Sequence, residues 1–378
     1  MGFEPTKRLD ELDSIRGLAA LSVVFSHYTQ FWRDEVMFGS SHSSRELFTY
    51  LVYPFSAGRE AVILFFILSG FVLSIPAINS RAQTYPVFIT RRVFRIYVPY
   101  LIAIMGAVLA ASIFHGTETQ SQWLNRPWSA PITWRPILQH VAFIGQFDAG
   151  QFNPPIWSLI YEMRISLLFP LLCAISLKLK AGRSLILAGC LSAVSIFAGN
   201  LFTAKDDWPM VIDTLHYAGL FVVGIFLARQ APDLSAIYRR LSLRKRLAIG
   251  ISSALVYVYA GVLWQGVARR LTSYGLFNSA DWLTALGAAG LIVLGLNSAW
   301  FRRVLFWPPI HALGKMSYSV YLLHFIIMLL VVHLFYGKLP LLLVLTLCLV
   351  VTIASSWAFY RFVEIPCISL GRRLSGYL

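Results

Sequence analysis

The stretch Leu12-Asp-Ser-Ile-Arg16-Gly-Leu-Ala-Ala-Leu-Ser-Val-Val-Phe-Ser-His27 opens the first apolar segment of the chain. As a helix it carries Arg16 and His27 eleven residues apart. At about 100° per residue they return to within roughly 20° of the same face, about 16 Å apart along the axis. One face then holds a fixed cation near a membrane surface and a titratable imidazole near mid-membrane. Ionisable groups at such depth are costly and usually face a protein interior or a watery cavity, so a functional role is the first expectation for both.

The surrounding chain is lipid-embedded by composition. Of 378 residues, 57% are hydrophobic and only 13% charged, with a mean hydropathy of +0.67; the apolar share of an ordinary soluble domain is about 45–50%. Apolar runs near 20 residues predict about ten membrane helices, at 16–32, 56–78, 96–115, 155–177, 184–201, 212–229, 247–266, 281–297, 316–336 and 340–362. The expected fold is all-α and polytopic. One membrane-embedded domain fills 1–378, with a short cytoplasmic lead 1–13 and a cytoplasmic tail 366–378.

The net charge of +15 and pI near 9.9 raise the question of nucleic acid. The basic residues are spread over short loops rather than gathered on one patch, and no nucleic-acid partner is expected. With a cytoplasmic N-terminus, the loops that fall inside collect most of the Lys and Arg. They include Lys7 and Arg8, Arg91 with Arg92 and Arg95, Lys178 with Lys180 and Arg183, and the run from Arg239 to Arg246. That asymmetry places both termini in the cytoplasm and predicts an even number of spans. Asp10, Glu11 and Asp13 precede the first apolar run and no small-residue cleavage site follows it, so it reads as a retained span. The four cysteines show no metal-ligand spacing and read as packing residues; no metal site is expected.

The loop 116–154 is the longest outside connection, rich in Trp and Pro, and is expected to cover or line an outward-facing cavity. Four strings carry candidate chemistry. Arg16 with His27 pairs a forked phosphate donor with an imidazole suited to act as base toward a hydroxyl. In Gly58-Arg-Glu-Ala-Val-Ile-Leu-Phe-Phe-Ile-Leu-Ser-Gly-Phe71, the Ser69-Gly70 pair favours close helix approach. Glu60 there either forms a rim salt bridge or orients a substrate hydroxyl. In Thr90-Arg-Arg-Val-Phe-Arg-Ile-Tyr-Val-Pro-Tyr100, Arg91, Arg92 and Arg95 either receive clustered phosphates or anchor the chain on anionic lipid. In Asn153-Pro-Pro-Ile-Trp-Ser-Leu-Ile-Tyr-Glu-Met-Arg164, Ser158 and Glu162 share a face and, with Tyr161, suit an acceptor pocket or a structural pairing. Near the end, Ser317, Tyr321 and His324 share a face, with His324 expected to be structural, and Arg361 with Glu364 reads as a helix-ending ion pair.

These strings, in this order, resemble the membrane-bound acyltransferase 3 family, whose bacterial members O-acetylate cell-surface polysaccharides. The resemblance runs along nearly the whole chain. It rests on Leu12–Ala20 with His27, Leu64-Phe-Phe-Ile-Leu-Ser-Gly-Phe71, Arg91–Tyr100, Trp157-Ser-Leu-Ile-Tyr-Glu162 and Ser317-Tyr-Ser-Val-Tyr-Leu-Leu-His324. It implies transfer of an acyl group, acetyl being the expected one, from cytoplasmic acyl-CoA to a hydroxyl of a surface or exported carbohydrate, in the bacterial inner membrane. It also implies His27 as the catalytic residue, Arg16 as essential, and Arg91, Arg92 and Arg95 as coenzyme-binding. Glu60, Ser69, Ser158, Tyr161 and Glu162 are the candidate acceptor-side residues. Acyl-CoA enters as co-substrate, with no tightly bound cofactor; membrane lipids are the other partners. No fused hydrolase-like domain is expected, which leaves acceptor choice to the membrane domain. A transporter or flippase of a glycan or lipid-linked substrate is the rival class, but such proteins typically show repeated halves and paired broken helices, and neither is evident here.

Overall fold

The computed structural model describes residues 9–114, 118–145, 147–202, 209–261, 263–264 and 274–377. Lys7 and Arg8, counted above among the inside charges, lie outside them. Among the described residues every long element is a helix.

In chain order the helices are α1 (Asp10–Val36), α2 (His42–Val52), α3 (Gly58–Ile78), α4 (Tyr85–Arg92), α5 (Val98–Ile113), α6 (Gln122–Asn125), α7 (Trp134–Ala142), α8 (Trp157–Lys178), α9 (Ala181–Phe202), α10 (Pro209–Arg240) and α11 (Leu243–Leu255). There follow α12 (Tyr274–Asn297), α13 (Ala299–Leu305), α14 (Pro308–Lys315), α15 (Ser317–Phe335), α16 (Leu341–Phe359) and α17 (Ile365–Ser375). Eight helical segments among the described residues are long and apolar enough to cross a membrane. The two other expected spans, 16–32 and 247–266, fall on α1 and on α11 with its continuation, part of which is not described. Acidic side chains in the first turn of α1, Asp10, Glu11 and Asp13, sit where the positive end of the helix dipole favours them.

Three wide, π-helical turns keep adjoining helices continuous: Val93–Tyr97 joins α4 to α5, Val256–Ala260 prolongs α11, and Tyr360–Glu364 joins α16 to α17. Such turns shift the hydrogen-bond ladder and release carbonyls. The Tyr318 hydroxyl donates to the carbonyl of Ile96, within the first of them, at 2.7 Å. The expected helix ending at Arg361 and Glu364 is therefore absent, since the chain runs on helically to Ser375.

The chain gathers into two compact units. The first comprises the chain up to Ala19, Arg59–Thr84 and Arg164–Lys315, which brings together the start of α1, α3, most of α8 and α9 through α14. Its helices approach to backbone contact. A Cβ on Gly70 would stand 2.1 Å from the Phe221 carbonyl oxygen, and one on Gly224 would stand 2.1 Å from that of Ile67. The close approach expected at Ser69-Gly70 is thus the crossing of α3 and α10. Gly17, beside Arg16, makes the same kind of crossing with α14, where a Cβ would lie 2.5 Å from the Gly314 nitrogen.

The second unit comprises Ala20–Gly58, Tyr85–Met163 and Met316–Leu378. It holds the remainder of α1 with α2, α4 through α7, the start of α8, and α15 through α17. Phe31, Tyr100, Phe152 and Phe325 are fully buried in it. Leu109, Ile113 and Leu342 are 65%, 65% and 73% exposed; on a membrane-spanning helix such side chains face acyl chains rather than water. Within the long loop, Trp128 (φ 64°) and Phe143 (φ 57°) adopt a left-handed backbone that bulky residues rarely take. Both rings are fully buried, and that packing holds the strained turns in place.

Candidate functional site

His27 lies within α1 of the second unit, and its Nδ1 is buried with no hydrogen-bond partner among the described residues. Aromatic rings fix the imidazole instead. His324 stacks on it at 5.3 Å between centroids and 21° between planes, Phe325 meets it edge-on at 5.2 Å, and Trp123 tilts against it at 5.7 Å. Trp123 comes from the loop expected to cover a cavity, and its Nε1 donates to Asp34 Oδ2 at 2.8 Å. The same carboxylate oxygen accepts from Ser121 at 2.6 Å. Asp34, two turns beyond His27 on α1, thus ties the loop down over the imidazole.

His324 is itself completely buried, and its Nδ1 lies 2.7 Å from the Tyr321 carbonyl. A carbonyl accepts only, so Nδ1 carries the proton and Nε2 the lone pair. Nε2 is buried without a partner. Tyr321, one turn earlier on α15, directs its hydroxyl to Ser158 Oγ at 2.6 Å and to the Pro155 carbonyl at 2.6 Å. Asn153 donates to the Leu322 carbonyl at 2.9 Å. The Asn-Pro-Pro break before α8 is therefore bonded to α15, and Ser158 and Tyr161, both buried, sit in that packing.

The three arginines of α4 and its π turn separate in role. Arg92 turns inward, 7% exposed, and bonds Glu162 at 2.8 Å. Arg91 and Arg95 are exposed, with Arg91 Nε donating to Ser375 Oγ at 2.9 Å. Glu162, read from the sequence as an acceptor-side or structural acid, has Arg92 as an ion-pair partner. Glu364 is likewise turned inward, accepting from Ser319 at 2.6 Å, while Arg361 is exposed.

In the first unit, Arg16 lies 3.8 Å from Asp13, one turn away. Ser69 is buried at the α3–α10 crossing. Glu60 is only 1% exposed, so it does not stand on an open rim; a Cβ on Gly261 would come within 3.2 Å of its Oε1. Arg59 forks onto Asp281, with Nε to Oδ1 at 2.9 Å and Nη2 to Oδ2 at 2.8 Å, and also reaches Asn278 Oδ1 at 3.3 Å. His216 Nε2 meets Asp281 Oδ2 at 3.1 Å, and its Nδ1 meets Ser192 Oγ at 2.7 Å. Trp282 Nε1 donates to that same oxygen at 2.9 Å.

With a neutral His216, one set of donors serves the chain: Trp282 to Ser192, Ser192 to His216, His216 to Asp281. None of Asp281, His216 and Ser192 was singled out from the sequence. All three lie in expected spans, and a census of intramembrane ionisable residues would have flagged the first two.

The chain matches the model of the acyltransferase domain family called acyltransferase 3 over residues 9–361. Along 98% of its length it is 22% identical to the O-acetyltransferase OatA of Staphylococcus aureus, and along 85% it is 28% identical to the acyltransferase MdmB of Streptomyces mycarofaciens. It spans 59% of the OatA length and 79% of the MdmB length. No solved structure matches it. With a family match over nearly all of its length and eight helical segments able to cross a membrane, this multi-pass membrane protein belongs to the acyltransferase 3 family.

Proposed function

We propose that the protein is a transmembrane O-acyltransferase that moves an acyl group, acetyl first among candidates, from acyl-CoA to a hydroxyl of a cell-surface or exported carbohydrate. The observation that carries this reading is His27. Its ring is gripped by three aromatic neighbours yet bonded to none through nitrogen. A general base needs that combination, a fixed ring and a lone pair left for the substrate.

In this mechanism the acceptor hydroxyl loses its proton to His27 as its oxygen attacks the thioester carbonyl. The carbon–sulfur bond then breaks, and the departing thiolate of the coenzyme takes the proton from the imidazolium. In the second unit the exposed Arg91 and Arg95 offer forked guanidinium donors suited to the coenzyme phosphates; in the first unit Arg16 is a separate candidate for phosphate binding. Arg92, held by Glu162, sets how its two neighbours are presented. Ser158, already oriented by Tyr321, is the candidate donor to the oxyanion that forms at the thioester carbonyl.

The test is transfer of radiolabel from acyl-CoA by purified protein. His27→Ala is expected to lose at least about 100-fold in kcat, the usual share of a general base, in protein that remains folded. Full transfer by a folded His27→Ala protein would overturn the assignment. Arg16→Lys is expected to raise the KM for acyl-CoA, since an ammonium cannot replace a bidentate fork.

A further inference from the structure

A cavity of about 190 Å³ opens in the second unit between the C-terminal half of α1 and α2. It begins at Ser26, the residue before His27, and runs past Gln30 to Arg33 along α1; α2 and the turn after it add Phe48, Thr49 and Tyr53, and His27 itself is not among its lining residues. Gln30 follows His27 by three residues, about 5 Å along the axis.

The cavity's lining contrasts with its setting. The other side of α2 and its turn presents Leu47, Leu51 and Phe55, which are 61%, 68% and 72% exposed, an apolar face suited to lipid. The inward side carries hydroxyls, an amide and a guanidinium. A cleft meant for an acyl chain would be apolar on both sides.

The polar groups there are under-used by the protein. Among the described residues the Ser26 hydroxyl and the Gln30 amide have no hydrogen-bond partner, and Arg33 reaches Thr49 and Asp34 only at 3.4 Å each. Phe48 is half-buried and stacks on Trp32 at 4.7 Å between centroids and 29° between planes, so its ring is held rigid by a second one. At about 190 Å³ the cleft has room for one sugar-sized ring.

We propose that this cleft is the acceptor subsite and takes a single polyhydroxylated, sugar-like ring. The C–H face of the ring lies against Phe48, its hydroxyls are read by Ser26, Gln30 and Arg33, and the acceptor hydroxyl extends past this lining toward His27, the next residue along α1 after Ser26. The inference rests on the acyl-transfer reading only for the last of these points. Occupancy by the ring is a separate, directly measurable claim.

Two measurements on the purified full-length protein separate the claims, with methyl glycosides of glucose, mannose and N-acetylglucosamine as probes. In the first, Gln30→Cys is alkylated by a polar maleimide with and without glycoside. Protection by at least one glycoside is expected, and labelling at the same rate with all three present overturns the subsite. In the second, label is transferred from acetyl-CoA to the protecting glycoside. Phe48→Ala and Gln30→Ala are expected to raise the glycoside KM about tenfold while the acetyl-CoA KM moves less than about twofold. Unchanged glycoside KM in both variants overturns the subsite and leaves acyl transfer standing. Protection without any transfer by the wild type supports the subsite and overturns acyl transfer to such acceptors.

Discussion

His27 and His324 stack face to face, 5.3 Å between centroids, although 297 residues separate them on α1 and α15. The His324 proton is committed to the Tyr321 carbonyl, so what this ring offers His27 is a flat, rigid wall. His324→Phe keeps the wall and removes a buried nitrogen that has no partner, and is expected to retain activity within about threefold. His324→Ala removes an aromatic contact worth about 1 kcal/mol or more and is expected to lose at least about tenfold in kcat. Equal losses in the two variants would show that the His324 nitrogens take part in the chemistry.

The Arg59–Asp281 fork makes a different prediction. Removing one partner of a buried ion pair strands the other charge, at a cost of about 3–5 kcal/mol. Asp281→Asn is expected to lower the melting temperature in detergent far more than Ser192→Ala, which deletes only the far end of the hydrogen-bonded chain and costs about 1–3 kcal/mol. Similar melting temperatures for the two variants would mean that Arg59 finds another counter-charge.

The α3–α10 crossing is tested by size. Gly70→Val puts side-chain atoms where the Phe221 carbonyl stands, and is expected to abolish folded protein. Gly106→Ala, on α5, meets nothing within 4 Å and replaces a helix residue of poor propensity, so its yield should match or exceed the wild type. The readout is the monodisperse fraction after solubilisation.

Acid should loosen the long loop through His140. This residue on α7 is completely buried, with Nδ1 3.0 Å from the Tyr100 hydroxyl, and burial pulls its pKa down from the ordinary 6.5 to about 4. Because the folded value is the lower one, the stability it contributes is complete above pH 6.5. It falls away as the pH drops from 6.5 toward 4, where the unfolded chain binds a proton that the folded one refuses. A melting temperature that drops between pH 7.5 and 5 in the wild type, and drops distinctly less in His140→Gln, is the expected result; identical drops would remove His140 from the acid response.

Much of the fold was legible because membrane helices are written locally. A run of apolar residues needs no partner to be recognised, and α3, α8, α9, α12, α15 and α16 begin and end within a few residues of the expected spans, apart from the earlier start of α12. α2 went unread because it is short and amphipathic, and its polar face makes sense only opposite α1. Arg92 was read with its neighbours because arginines in sequence look alike; a wide turn at Val93–Tyr97 and an acid on α8 distinguish it from Arg91 and Arg95. Trp123 stood among several loop tryptophans, and only its bond to Asp34 places it on His27.

By itself the sequence determined the class of the protein, most of its long apolar helices and the family, since all of these depend on hydropathy and short-range spacing. Tertiary structure alone decided which charges meet. Arg59 takes Asp281, Arg92 takes Glu162, and His27 receives His324 and Trp123. In a low-dielectric interior, a charge or a ring is stabilised by whatever partner the packing brings within about 3–6 Å. That partner is chosen by helix crossings such as those at Gly17 and Gly70, between segments far apart in the chain.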